Sequence, residues 1–228
     1  MRPEPAGPGM QAPAHDLFDD AGADAGARQF ADDACWLRGF ALDRGPALLA
    51  ALDAVIAQAP FRHMETRRGL RMSVAMSNCG ALGWVSDRRG YRYVACDPLD
   101  GRPWPAMPPV FAQLAADAAR EAGFDHFVPD ACLVNRYEPG TRLSLHQDRD
   151  ERDFDAPIVS VSLGLPATFV FGGAARTDRV QRIPLRHGDV VAWGGRSRLF
   201  HHGVLPLADG THPLLGARRI NLTFRRAG

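Results

Sequence analysis

The chain has no lysine. All 27 of its basic residues are arginine. Without an ε-amino group there is no Schiff-base nucleophile, no pyridoxal-phosphate anchor and no P-loop lysine. Arginine in place of all lysine is also what a GC-rich genome produces. Cysteine is scarce: Cys35, Cys79, Cys96 and Cys132 form no C-x-x-C pair. In a chain of this length they read as free thiols of a reducing compartment, and structural zinc is not expected. No run approaches the roughly 18 apolar residues of a membrane span. The opening MRPEPAGPGMQAPA lacks the apolar stretch of a secretory signal. The expectation is a cytoplasmic protein with no membrane partner. Net charge is only +1, so no global basic field attracts nucleic acid, and any such contact must come from a local patch.

What is present fits one globular domain behind a tail: 228 residues, 46% of them hydrophobic. Residues 1–29 are rich in Ala, Gly, Pro and Asp, bury little apolar surface and are expected to be disordered. Residues 30–228 are expected to form the domain. Leu48, Leu49, Leu52, Val55 and Ile56 have helical spacing, with Asp43 as a cap and Pro60 as a stop. VFAQLAADAAREAGF repeats that pattern over residues 110–124, and Gly123 suits a helix end. From residue 131 the texture changes. CLVNRYEPG, RLSLHQD, PIVSVSLGL, TFVFGG, GDVVAWGG, HHGVLPL and RRINLTFRR are short, β-rich and separated by Gly or Pro. They predict antiparallel strands. The fold class is α+β: a double-stranded β-helix (jelly roll) over about 131–226, with the N-terminal helices packed on one sheet.

Two His-x-Asp pairs occur, His146-Gln147-Asp148 and His187-Gly188-Asp189, where chance placement of 8 His and 21 Asp gives about 0.7. Gly188-Asp189 is a turn signal opening an apolar strand, and a turn explains it without metal. His146 and Asp148 fall at i and i+2, which share a face if the segment is a strand. A distant His such as His202 would complete two imidazoles and one carboxylate, the facial triad of non-haem Fe(II) oxygenases. An exposed acidic loop with a surface histidine fits the same spacing. The last strand pattern is similarly open. Arg219, Asn221, Thr223 and Arg225 share one face, while Ile220, Leu222 and Phe224 share the other. If the polar face is buried, its arginines need anions such as the two carboxylates of a dicarboxylate. If it faces solvent, they are ordinary surface charges.

Over residues 75–226 the ordered series NCGALGW, PWPAMP, NRYEPG, LSLHQDRDE, PIVSVSLGLPATFVFGG, HGDVVAWGG and RRINLTFR resembles the AlkB-type 2-oxoglutarate and Fe(II)-dependent dioxygenases. The resemblance implies that His146, Asp148 and His202 ligate iron and act in catalysis; His202 rather than His201 matches, because it directly precedes Gly203. It implies that Asn135, Tyr137, Arg219, Asn221 and Arg225 form the 2-oxoglutarate pocket. Trp84, Tyr91, Tyr93, Asp150 and Arg176 match residues around a flipped base or its backbone, and the resemblance implies a base-binding lid over about 62–95.

The activity implied is oxidative removal of N-alkyl groups, of the 1-methyladenine and 3-methylcytosine type, from single- or double-stranded DNA, with RNA as a further carrier. 2-Oxoglutarate and O₂ become succinate and CO₂, and the methyl group leaves as formaldehyde. The protein is expected to be a monomer. Arg71 departs from the small hydroxyl residue of close relatives. With Arg62, Arg67, Arg68, Arg88, Arg89 and Arg92 it makes the region around Trp84 strongly basic, which suits a phosphate patch or a solvated surface. Two other readings compete: an oxygenase acting on a small molecule or protein side chain, and a non-catalytic nucleic-acid-binding module.

Overall fold

The computed structural model describes residues 26–228. Strands β1 (Ala27–Ala31) and β2 (Ala34–Leu37) come first, then helix α1 (Gly45–Gln58). Strands β3 (Arg62–Glu65), β4 (Arg71–Gly80), β5 (Gly83–Asp87) and β6 (Gly90–Val94) lead to helix α2 (Pro109–Glu121). The second half runs β7 (Ala131–Tyr137), β8 (Leu143–His146), β9 (Ile158–Gly164), β10 (Ala167–Phe171), β11 (Gln181–Leu185), β12 (Val190–Trp193), β13 (His202–Val204) and β14 (Arg219–Arg225). The paired strands are antiparallel. An eight-stranded sheet has the order β1-β2-β12-β9-β14-β7-β4-β3, a four-stranded sheet the order β11-β10-β13-β8, and β5-β6 is a separate hairpin. This mostly antiparallel architecture with two helices is that of a jelly roll.

The helices form where apolar spacing and breakers dictate. Leu48, Leu52 and Val55 are the buried residues of α1, with a proline in its first turn and Pro60 just beyond its end. Asp43 does not cap it: the N-cap is Arg44, without a side-chain bond. In α2, Phe111, Leu114, Ala115 and Ala118 are buried, and Gly123, at φ +88°, turns the chain out of the helix. These side chains share one apolar cluster with Val134 of β7, Val159 and Val161 of β9, and Ile220, Leu222 and Phe224 of β14. The opposite face of the same strands carries Asn135, Ser160, Asn221, Thr223 and the two β14 arginines into a cavity of about 500 Å³. Strand alternation thus gives the large sheet an apolar side and a functional side.

Two boundaries differ from expectation. β1 begins at Ala27, inside the residues assigned to the tail, and pairs with β2. Residues 1–25 lie outside the described structure. The region 62–95 holds β3, the whole of β4 and the β5-β6 hairpin, and Ala75–Gly80 of β4 pair with β7 in the main sheet, so this part of the region belongs to the core sheet.

Candidate active site

His146 ends β8 and His202 opens β13. The two are directly paired across the strands, with ring centroids 4.4 Å apart. Gly203 allows that closeness: a Cβ there would lie 2.6 Å from the Leu143 carbonyl oxygen. Asp148 is not on the strand as its spacing implied; it sits in the loop immediately after β8. Its Oδ1 is nevertheless 3.6 Å from His146 Nε2, and its Oδ2 is 3.7 Å from His202 Nε2. One ligand atom from each of the three lies within 4.8 Å of the others.

The second coordination layer sets their chemistry. His146 Nδ1 lies 2.8 Å from the Ser144 carbonyl and His202 Nδ1 lies 3.0 Å from the Phe200 carbonyl. Nδ1–H donation to these oxygens leaves the Nε2 lone pairs toward Asp148, the tautomer a metal requires. Burial, then the nearby His146, lower the His202 pKa to about 3, so its ring is neutral at neutral pH. Trp193, Phe169 and Phe171 surround it. Burial pushes the Asp148 carboxyl up, but Arg225, followed by the two histidines, outweighs it and holds the group well below the usual carboxylate range. Arg225 donates to Asp148 Oδ2 from Nε at 2.9 Å and from Nη2 at 2.6 Å, and its Nε is 3.2 Å from Glu151 Oε1. Two imidazoles presenting Nε2 and one carboxylate suit Fe(II).

Arg219 is different. It is 1% exposed, donates to Ser162 Oγ at 3.0 Å and lies 4.8 Å over the Tyr137 ring, yet its Nε and Nη1 have no partner. Burial lowers its pKa. A desolvated guanidinium with two idle donors is suited to receive a carboxylate. Asn135 donates to Asn221 Oδ1 at 3.3 Å, and Asn221 donates in turn to Ser160 Oγ at 2.8 Å, so these amides wall the same space.

At the mouth, Trp84 Nε1 donates to Asp150 Oδ2 at 2.8 Å, and the Trp84 ring stacks on Tyr91 at 5.4 Å rather than standing alone as a platform. Tyr93 donates to Glu151 Oε1 at 2.9 Å, and burial pushes its hydroxyl pKa well up. Arg176 lines the cavity but spends one donor on the Leu145 carbonyl at 2.6 Å. The structure therefore brings all thirteen expected site residues to one cavity. The competing His-x-Asp is elsewhere. Asp189 accepts from Trp36 Nε1, Gly39 N and Arg186 N, while His187 Nδ1 accepts from Gly164 N at 3.0 Å; both are spent on turns.

Sequence reasoning missed Gln147, Glu151 and Arg198. Gln147 is the unspecified middle of His-x-Asp, and Arg198 lies in RSRLF, which has no strand or helix period.

Two facing sheets around a His-x-Asp…His group and a buried arginine have the form of a non-haem iron oxygenase. The chain belongs to the 2OG-Fe(II) oxygenase superfamily, which it matches over residues 33–225, and within that superfamily to the AlkB-type dioxygenases. It is 56% identical over 208 residues to the alpha-ketoglutarate-dependent dioxygenase AlkB of Salmonella typhimurium, covering 87% of this chain and 96% of that protein. It is 35% identical over 171 residues to the DNA N(6)-methyladenine demethylase ALKBH1C of Arabidopsis thaliana, covering 64% of this chain and 38% of that one. The solved structure of OsALKBH1 superposes with a TM-score of 0.76 at 29% identity, over 88% of this chain and 99% of that one. Its cofactors are accordingly Fe(II) and 2-oxoglutarate.

Proposed function

We propose that this protein oxidatively demethylates N-alkylated bases in DNA and RNA, working as a cytoplasmic monomer with no membrane partner. The observation that carries the reading is a single cavity holding three groups side by side. They are the His146, Asp148 and His202 cluster, the unsatisfied Arg219 donors, and the Trp84–Tyr91 aromatic pair. His146, Asp148 and His202 would hold Fe(II), which would supply O₂ activation coupled to 2-oxoglutarate.

The residues of the chain do the rest. Arg219, with Tyr137 beneath it, would take a carboxylate of 2-oxoglutarate, and Asn135 and Asn221 would line that pocket. Arg225 holds Asp148 ionised and oriented toward the two imidazoles. Trp84 offers a stacking face to a base extruded from its strand. Asp150 complements the positive charge of a base such as 1-methyladenine, and Arg176 meets the backbone. Residues 62–95 act as the lid, and the arginines around Trp84 meet phosphates. Helices α1 and α2, packed on the outer face of the large sheet, keep β14 rigid behind the pocket.

The test is formaldehyde release from a 1-methyladenine oligonucleotide and from the free nucleoside, with Fe(II), 2-oxoglutarate and rising salt. The expected result is release from both, with only the oligonucleotide reaction falling steeply with salt. Turnover of 2-oxoglutarate without formaldehyde from either substrate supports the small-molecule or protein oxygenase instead. No turnover at all supports the binding module.

A further inference from the structure

The segment 147–157 carries Asp148, Asp150 and Glu151, yet it contains no helix or strand. A metal ligand on an irregular loop needs something else to hold it. Arg198 supplies it. The residue is 2% exposed, and its whole guanidinium faces this loop. Nε donates to the Ala156 carbonyl at 3.0 Å, Nη1 donates to the Asp148 carbonyl at 3.1 Å, and Nη2 is 3.3 Å from Glu151 Oε2. One planar fork thus ties both ends and the middle of the loop to the segment that leads into His202. Gln147 ties them in the opposite sense. Its side-chain amide donates to the Leu199 carbonyl and, at 3.3 Å, to the Ala174 carbonyl. Residue 147 reaches the backbone of 199, and residue 198 reaches the backbone of 148.

We propose that Gln147 and Arg198 form a reciprocal lock that sets the register between the two chain segments carrying the metal ligands, so that both are positioning residues for the metal site. The lock rests on the metal-site reading above. It explains why Asp148, beyond the end of β8, still meets both imidazoles. It also links the metal to the substrate side. Glu151 is held between Arg198 and Arg225 and accepts from Tyr93, which belongs to the β5-β6 hairpin.

The test is anaerobic titration of Co(II) alone into the parent, Gln147→Leu, Arg198→Lys, the double variant and Asp148→Ala, following affinity and the d–d absorption bands. Lysine cannot reproduce a three-point planar fork. Gln147→Leu and Arg198→Lys are each expected to lose about 10- to 100-fold in Co(II) affinity, the usual effect of removing an outer-shell partner, and to show altered bands. The double variant is expected to lose less than the product of the two single losses, because either change alone opens the lock. Metal-free Tm of Gln147→Leu should stay near the parent's, which a merely structural role would not combine with altered bands. Parental affinity and bands in Gln147→Leu, with Asp148→Ala losing Co(II), overturn the lock and leave the site intact. Retained binding in Asp148→Ala overturns the site reading itself. If Arg198→Lys does not fold, Gln147→Leu alone decides.

Discussion

Arg219 and Arg225 have the same side chain on the same face of the same strand, and their surroundings make them different tools. Arg225 is satisfied by Asp148 and Glu151, whereas Arg219 keeps two buried donors idle. Arg219→Leu should therefore weaken 2-oxoglutarate binding by about 2–4 kcal/mol, the range for losing one partner of a buried charged pair. Calorimetric titration measures it, and parental affinity in the variant contradicts the assignment. Trp84 has two partners in the absence of a base, Tyr91 and Asp150. Trp84→Ala should lose about 1–3 kcal/mol of base stacking, or roughly 5- to 150-fold in kcat/KM on a methylated oligonucleotide, while 2-oxoglutarate affinity stays unchanged. At this scale the sequence was most legible where chemistry demands a residue type. His146, Asp148 and the β14 arginines could be named from spacing and from resemblance. Gln147 and Arg198 could not, because what they do is contact distant backbone, and no local pattern encodes that.

At the scale of elements, β14 is the clearest case. Its alternation of Arg, Asn, Thr and Arg with Ile, Leu and Phe fits a strand buried on both faces, one against apolar side chains and one against a polar cavity. β4 was not legible: Val74 to Cys79 are buried in succession, so period two vanishes. β11 was missed for the opposite reason, since Gln181, Arg182 and Pro184 are exposed on an edge strand. The turn between β11 and β12 offers a pH test. Burial, and then His212, hold His187 below its usual pKa. As pH falls through about 6.5, the unfolded chain takes up a proton there before the folded chain does. The contribution of the neutral ring is thus present above that value and is lost as pH falls toward the lowered folded pKa. His187→Ala should show a shallower drop in Tm between about pH 7 and 5.5 than the parent does, with Co(II) affinity unchanged. A parental slope contradicts the first statement, and loss of Co(II) binding contradicts the second.

At the scale of the whole molecule, the order of β-rich segments after residue 131 announced antiparallel sheets, but not which strands would pair. β2 pairs with β12, far along the sequence, and carries β1 on its other edge, while β14 sits between β7 and β9. Such long-range pairings depend on the assembled core rather than on local propensity. Their consequence is functional. Only when the loop after β8, β13 and β14 are brought to one cavity do Asp148, His202 and the arginines meet. The most direct test is an anomalous difference map from crystals grown with Mn(II), a redox-stable stand-in for Fe(II), and 2-oxoglutarate. The account predicts one protein-bound peak, ligated by His146, Asp148 and His202, with a carboxylate of 2-oxoglutarate on Arg219. A peak at His187 and Asp189, or 2-oxoglutarate away from Arg219, would contradict it.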